Sequence, residues 1–228
     1  MKKRRFLHSR CFLLAVCAAF VLTGCSMGKK QENIDLGMEA IAGLDYEGAL
    51  ACFEKALVEG EDEELLYRGQ GIAYIGLTQY EEAAASLEKA LSYCNGNIGS
   101  LEFDINYYLA VAYYKKGDID RALQVYDAIL ALRDDEKTAY CLRGALALEQ
   151  ERYDDADADF RKAVSLDKKD YDTLLDIYIS LEKNGYREAG IEYLQTALTE
   201  GGDNISDYDK GRLYYYLEDY DNARNSLE

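Results

Sequence analysis

The chain has 228 residues, with 43 acidic side chains against 26 basic ones and a net charge of −17 at pH 7. Phosphate contacts need clustered Lys and Arg, so this balance excludes nucleic acid as a partner class, and a hydrophobic content of 49% excludes a disordered polyanion. There is no Pro among these residues but there are 21 Tyr, and a Pro-free chain of this length is most easily all helical, because helix interiors reject Pro.

The first ten residues, MKKRRFLHSR, carry five basic side chains and no acid, and fourteen uncharged residues follow, CFLLAVCAAFVLTG. As a helix that segment is about 21 Å long, short of the roughly 30 Å hydrocarbon core. A basic start, a short apolar core and small residues at its end describe a secretory signal peptide over residues 1–24. Leu22, Thr23, Gly24 and Cys25 resemble the bacterial lipobox. That resemblance implies a diacylglycerol thioether on Cys25, cleavage after Gly24 and a further acyl chain such as palmitate on the new amino terminus. Two or three chains anchor stably where one does not. A plain signal peptide cut nearby, or a weak uncleaved anchor, are the competing readings. A polar tether over residues 25–32 precedes the folded domain, 33–228. Without residues 1–24 the chain keeps 21 basic against 43 acidic side chains, a net charge near −22. Cys52, Cys94 and Cys141 then remain beside Cys25, an odd and widely spaced set that reads as small apolar residues rather than a disulfide framework.

From residue 44 onward one pattern recurs: LDYEGALACFEKAL, TQYEEAAASLEKAL, GDIDRALQVYDAIL, ERYDDADADFRKAV, GYREAGIEYLQTAL and the incomplete EDYDNARNSLE. Its small anchors are Ala49, Ala83, Ala122, Ala156, Gly190 and Ala223, spaced 34, 39, 34, 34 and 33 residues apart. Twelve residues before each anchor stands a small partner: Gly37, Gly71, Ala110, Gly144 and Gly211, with Tyr178 as the exception in the fifth unit. Small residues on facing helices let backbones approach while Phe and Tyr fill the flanks. The pattern resembles the tetratricopeptide repeat. This implies an all-α fold, a right-handed superhelical solenoid of about six helix-turn-helix repeats. The family's Pro at the repeat end is replaced by Glu61, Asn95, Asp134, Lys168 and Gly202, and NGNIGS inserts five residues between repeats two and three. The chain stops at NSLE, inside the second helix of the sixth repeat, which reads as a fragment.

Chemistry finds little support in these residues. The one His, His8, lies in the signal segment, so the remainder has no Ser-His or Cys-His pair and no imidazole ligand. GQGIAYIG (69–76) has the glycines of a phosphate loop but falls at packing positions in mid-helix. DDADADF (154–160) puts Phe160 where a calcium loop needs Gly, and reads instead as the solvated acidic start of a helix. No catalytic residue, cofactor or metal is expected.

In the superhelix that the resemblance implies, the first helix of each unit lines a concave groove at i, i+4, i+7 spacing. Those positions are Arg68, Ile72 and Ile75; Tyr107, Val111 and Tyr114; Cys141, Ala145 and Leu148; Leu175, Ile179 and Glu182; and Tyr208, Arg212 and Tyr215. They do not resemble the Lys, Asn and Arg clamp with which some family members grip a peptide carboxylate. An aliphatic and Tyr groove in an acidic shell suits an apolar or basic segment of another protein. The expected function is therefore a membrane-anchored adaptor on the extracytoplasmic side. The alternatives are an accessory lipoprotein for an envelope machine such as a pilus, secretion or outer-membrane complex, and a surface glycan-binding protein.

Overall fold

The computed structural model describes residues 31–94 and 99–228. The signal segment, Cys25 and most of the tether lie outside these residues, as do four residues of the NGNIGS turn. Twelve α-helices form six successive pairs among the described residues: α1 Glu32–Ala42 with α2 Tyr46–Glu59, α3 Glu63–Gly76 with α4 Tyr80–Tyr93, and α5 Ser100–Lys116 with α6 Ile119–Leu132. Then come α7 Lys137–Glu149 with α8 Tyr153–Leu166, α9 Tyr171–Lys183 with α10 Arg187–Gly201, and α11 Asp207–Tyr216 with α12 Tyr220–Leu227. First helices of successive repeats touch one another, α1 on α3, α3 on α5 and α7 on α9, so they form one layer of a solenoid and the second helices the other. No described helix is long and apolar enough to cross a membrane.

Side-chain caps set half of the described helix starts. Asp45, Asp62, Asp118, Asp170, Ser206 and Asp219 each accept a hydrogen bond from the backbone N–H three residues on, which satisfies one of the orphan donors of the first turn. The turn inside every pair holds one left-handed residue, at Leu44, Thr78, Gly117, Glu151, Gly185 and Glu218, with φ between 57° and 89°. These positions follow the repeat period, yet Gly occupies only two of them, so four turns carry backbone strain.

Packing follows the small anchors. Ala49, Ala83, Ala122 and Ala156 are fully buried, and the ring of Phe53 lies so close to Gly37 and Gly69 that a Cβ at either would overlap it. The fifth repeat inverts the scheme. Tyr178 is 2% exposed in the position that is small elsewhere, and Gly190 faces it where the other repeats have Ala, so that a Cβ there would stand 3.0 Å from the Tyr178 ring. The large side chain of one helix thus meets a bare backbone on the other.

The missing Pro at the first repeat's end has a structural consequence. Glu61, 2% exposed, accepts hydrogen bonds from the backbone N–H of Asn33 and of Ile34, both at 3.0 Å, and from the Asn33 amide at 2.7 Å. Gln31, the residue preceding α1, makes no side-chain cap, so the carboxylate of the next turn serves the first helix from a distance of 28 residues in sequence. A negative charge at this end also suits the helix dipole.

The core is not uniform. One continuous cluster of buried side chains runs from Ile34 to Leu146, through the first three repeats and into the fourth. Beyond it are two smaller clusters, one around Phe160, Ile177 and Leu181 and one around Leu175, Tyr178, Leu194 and Leu213. The seams from α8 to α9 and from α10 to α11 are correspondingly thin.

Candidate functional site

The first-helix face divides along the same line as the core. In repeats two and three the expected groove positions are half-buried and tied down. Arg68 donates through Nε to Asp104 at 2.5 Å and its guanidinium lies over the Tyr108 ring. Tyr107 donates to Glu136 at 3.4 Å and Tyr114 to Glu149 at 2.8 Å. Burial, with Glu136 beside it, pushes the Tyr107 hydroxyl up to about 12, so it stays a neutral donor. Ile72, Ile75 and Val111 fill the space between them, half-buried. Each tie joins one repeat to the next, which makes this stretch a closed surface.

Repeat four corrects part of the expectation. Cys141 and Ala145 are half-buried on the face, but Leu148 is 2% exposed and packs with Phe160, Ile177 and Leu181. Leu175 in repeat five is likewise 3% exposed, inside the cluster of Tyr178, Leu194 and Leu213. Neither lines a groove. The i, i+4, i+7 stripe is wider than the open face: one edge turns toward α9 at Leu148, and the other turns into the packing of repeats five and six at Leu175. The acidic start of α8 needs a correction too. Asp159 is not solvated but 6% exposed, held by Arg143 through Nε and Nη2 at 2.8 and 2.6 Å, while Nη1 reaches Asp127 of α6 at 2.6 Å.

The open part lies in repeats five and six. Ile179 is 43% exposed, Tyr208 64% and Tyr215 60%. Arg212 stands between the two tyrosines, with its guanidinium over the Tyr208 ring and bonded to Asp172 at 2.6 Å. Tyr215 meets Tyr216 and Tyr220 edge to face. The Glu182 carboxylate, at the same end of α9, accepts from Tyr178 at 2.8 Å and from Arg187 at 3.2 Å. Arg187 in turn reaches Glu218, which ties repeat five to repeat six. Exposed apolar side chains next to satisfied polar groups make a dry contact surface without leaving a buried charge unpaired.

One cluster among the described residues has the spacing of a metal site. The ligand atoms of Glu64, Cys94 and Glu102 lie within 4.8 Å of one another. The Cys94 thiol accounts for this grouping by donating to Glu64 at 3.2 Å. Burial and that carboxylate push the thiol up to about 12, so it is a protonated donor rather than a thiolate ligand. Gly69 and Gly71 of GQGIAYIG are buried in mid-helix, Gly71 against Leu87, and the half-buried Gly76 ends α3, so the run offers no phosphate loop.

Two features escaped the reading of the sequence. Glu61 stands at the place of the family's Pro, so its identity drew notice but its reach back to α1 did not. The second is a cleft of about 460 Å³ on the opposite, second-helix side, between α8 and α10. Its one sequence signal is the basic run RKAVSLDKK, 161–169, in an acidic chain.

Comparison with known proteins follows the same architecture. A family model described as tetratricopeptide repeat matches residues 34–97, 68–137 and 107–173. A TPR repeat-containing protein of Methanocaldococcus jannaschii is 24% identical over 210 residues, covering 86% of this chain, and the chain spans only 35% of that relative's length. Among solved structures, a tetratricopeptide repeat protein from Parabacteroides merdae is similar with a TM-score of 0.61 at 20% identity, covering 86% of this chain and 77% of that one. MamA from Desulfovibrio magneticus RS-1 gives a TM-score of 0.59 at 21% identity, with 74% and 93% covered. YrrB, described as a TPR protein with an unusual peptide-binding site, gives 0.55 at 23% identity, with 73% and 84% covered. At these identities the likeness to solved structures is one of fold.

Proposed function

This chain belongs to the tetratricopeptide-repeat family, and from that premise we propose that it is a lipid-anchored scaffold on the extracytoplasmic side of a membrane. It holds a segment of another protein against its first-helix face and performs no chemistry of its own. Cys25 carries the lipid, and the segment held is apolar or basic, in keeping with a net charge of −17 for the whole chain. A peptide-binding site described for YrrB is consistent with this use of the fold.

The observation that carries the reading is the open patch of Ile179, Tyr208 and Tyr215, set beside the tied-down tyrosines of repeat three. Exposed Tyr with satisfied neighbours is the composition of an interface centre, and the exposed carboxylate of Asp176, on the same helix as Ile179, favours a cationic segment. A Leu/Lys amphipathic helical peptide is the probe. It should bind the domain with a salt-dependent Kd and perturb the amide resonances of α9 and α11. Tyr208→Ala with Tyr215→Ala should weaken binding about tenfold, a typical pair of hot-spot losses, and Tyr107→Phe should leave it unchanged. Equal loss from both variants would sink the placement. For the anchor, Cys25→Ser should move the protein from the membrane to the soluble fraction of cells, and continued membrane retention would count against lipidation.

A further inference from the structure

The second-helix side of the solenoid changes from one seam to the next. Between repeats two and three, Glu88 of α4 is engaged by Tyr113 and Arg121 of the following pair. Between repeats three and four, Arg143 stands in the gap and joins Asp127 of α6 to Asp159 of α8, beside a remaining space of about 290 Å³. One repeat of 34 residues later, the position of Arg143 is Ile177, which is 1% exposed and turned into the core. No charged side chain of α9 therefore stands in the seam between α8 and α10 as Arg143 does one repeat earlier, and Tyr171 and Leu174 of α9 only line it. Two polar bridges cross it, Tyr193 to Asp157 at 2.8 Å and Lys168 to Glu200 at 3.0 Å. Between and below them Val164, Ala197 and Leu174 line the cleft of about 460 Å³, a volume in the range of about 300–1,000 Å³ typical of binding sites.

The cleft lining balances Arg161, Lys168 and Lys169 against Asp157, Glu192 and Glu200, in a chain that is otherwise strongly acidic. The run from 161 to 169 has four basic residues against one acid in a chain of net charge −17, and Arg161, Lys168 and Lys169 of that run line the opening. Of the carboxylates there, Asp157 already accepts from Tyr193 and Arg161, and Glu200 from Lys168. Glu192 stands about 12 Å along α10 from Glu200, toward the other end. The Lys169 ammonium makes no ion pair among the described residues.

We propose that this cleft is a second docking site, on the side opposite the Tyr patch, for an acidic amphipathic segment of another protein. Its apolar side chains enter between the two bridges and its carboxylates meet Lys168 and Lys169. The Lys168–Glu200 pair is exposed, so exchanging Glu200 for a partner's carboxylate costs little. A scaffold with a cationic-seeking face and an anionic-seeking seam can hold two different proteins at once.

The test uses a Leu/Glu amphipathic helical peptide titrated into the folded domain, read by calorimetry and by amide shifts. Binding should perturb Val164, Tyr193 and Ala197 and leave Tyr208 and Tyr215 unmoved. Lys168→Glu with Lys169→Glu should weaken it at least about tenfold, and so should Thr196→Trp, which plugs the opening from an exposed position. Both variants should keep wild-type helicity and wild-type affinity for the Leu/Lys peptide, which separates this site from the patch of repeats five and six. No binding of the Leu/Glu peptide overturns the proposal, as does binding that both variants retain. Vesicles of phosphatidylglycerol form the third arm. Saturable shifts of the same residues by the vesicles, without any by the peptide, would replace the protein partner by a membrane surface.

Discussion

The N-terminal and C-terminal halves of this solenoid obey one repeat pattern and are held together by different forces. In repeats one to three a single apolar core runs unbroken to Leu146, and the ties on the first-helix face only reinforce it. From repeat four onward the core is divided, and the seams rest on polar contacts such as Lys137 with Asp170, Lys168 with Glu200 and Arg187 with Glu218. In a repeat protein stability is close to a sum of unit and neighbour-interface terms, so a weak seam is a local property. The half with weaker seams is also the half with the exposed Tyr patch and the cleft. Surface that is not consumed between repeats is what remains for partners.

The largest effect that would break this contrast is a cavity on either side of it. Phe53→Ala should cost about 3–5 kcal/mol and, through the continuous core, lower hydrogen-exchange protection across α1 to α6 together. Tyr178→Ala should cost a similar amount, yet its loss of protection should stay within α9 to α12. Uniform loss along the whole chain in both variants would show that the divided core does not divide the cooperativity.

A smaller effect tests the inverted packing of repeat five. Gly190→Ala sets a methyl group 3.0 Å from the Tyr178 ring and should cost about 1–3 kcal/mol by overpacking. Urea unfolding of Gly190→Ala combined with Tyr178→Gly should show a coupling that recovers part of that loss. Additive costs would mean that the two residues do not form one packing unit.

The polar seam has a pH signature. Burial works against the charged form of Asp170, but Lys137 and the Thr173 donors outweigh it and hold the carboxyl at about 2, below its ordinary 3.8. A depressed carboxyl contributes stability that is fully present above the unfolded value and is lost as pH falls through the folded one. Asp170→Asn should therefore be less stable than wild type at neutral pH, with the difference closing between about pH 4 and pH 2 in acid titrations of melting temperature. A difference that persists at pH 2 would point to the helix cap rather than to the charge.

The smallest effect concerns the turns. Thr78, a β-branched residue at φ 61°, occupies the place of Gly117 and Gly185. Thr78→Gly should raise stability by about 1 kcal/mol, measured as a rise in urea midpoint at unchanged slope. No gain would mean that the turn is unstrained.

The register of the repeat could be read directly from residues. Anchors such as Ala49, Ala83 and Ala156 are buried where their spacing places them, because a small residue every 34 positions has few uses besides a close helix crossing. The absence of Pro agreed with that reading. The candidate groove was less legible. Leu148, Leu175 and Ile179 are the same kind of residue on the same expected stripe, and only the packing between repeats separates the two that are buried from the one that is exposed. Asp159 looks like any other acid in DDADADF until Arg143, sixteen residues away, is seen to hold it.

Periodicity along one chain thus determined the helices, their pairing and which small residues lie between them, since each of these is decided within a single repeat. Tertiary structure alone decided where the core breaks, which groove positions are covered, and that Ile177 leaves open a seam that Arg143 closes one repeat earlier. Those outcomes depend on contacts between repeats. Such contacts vary with side chains that a repeat pattern does not constrain.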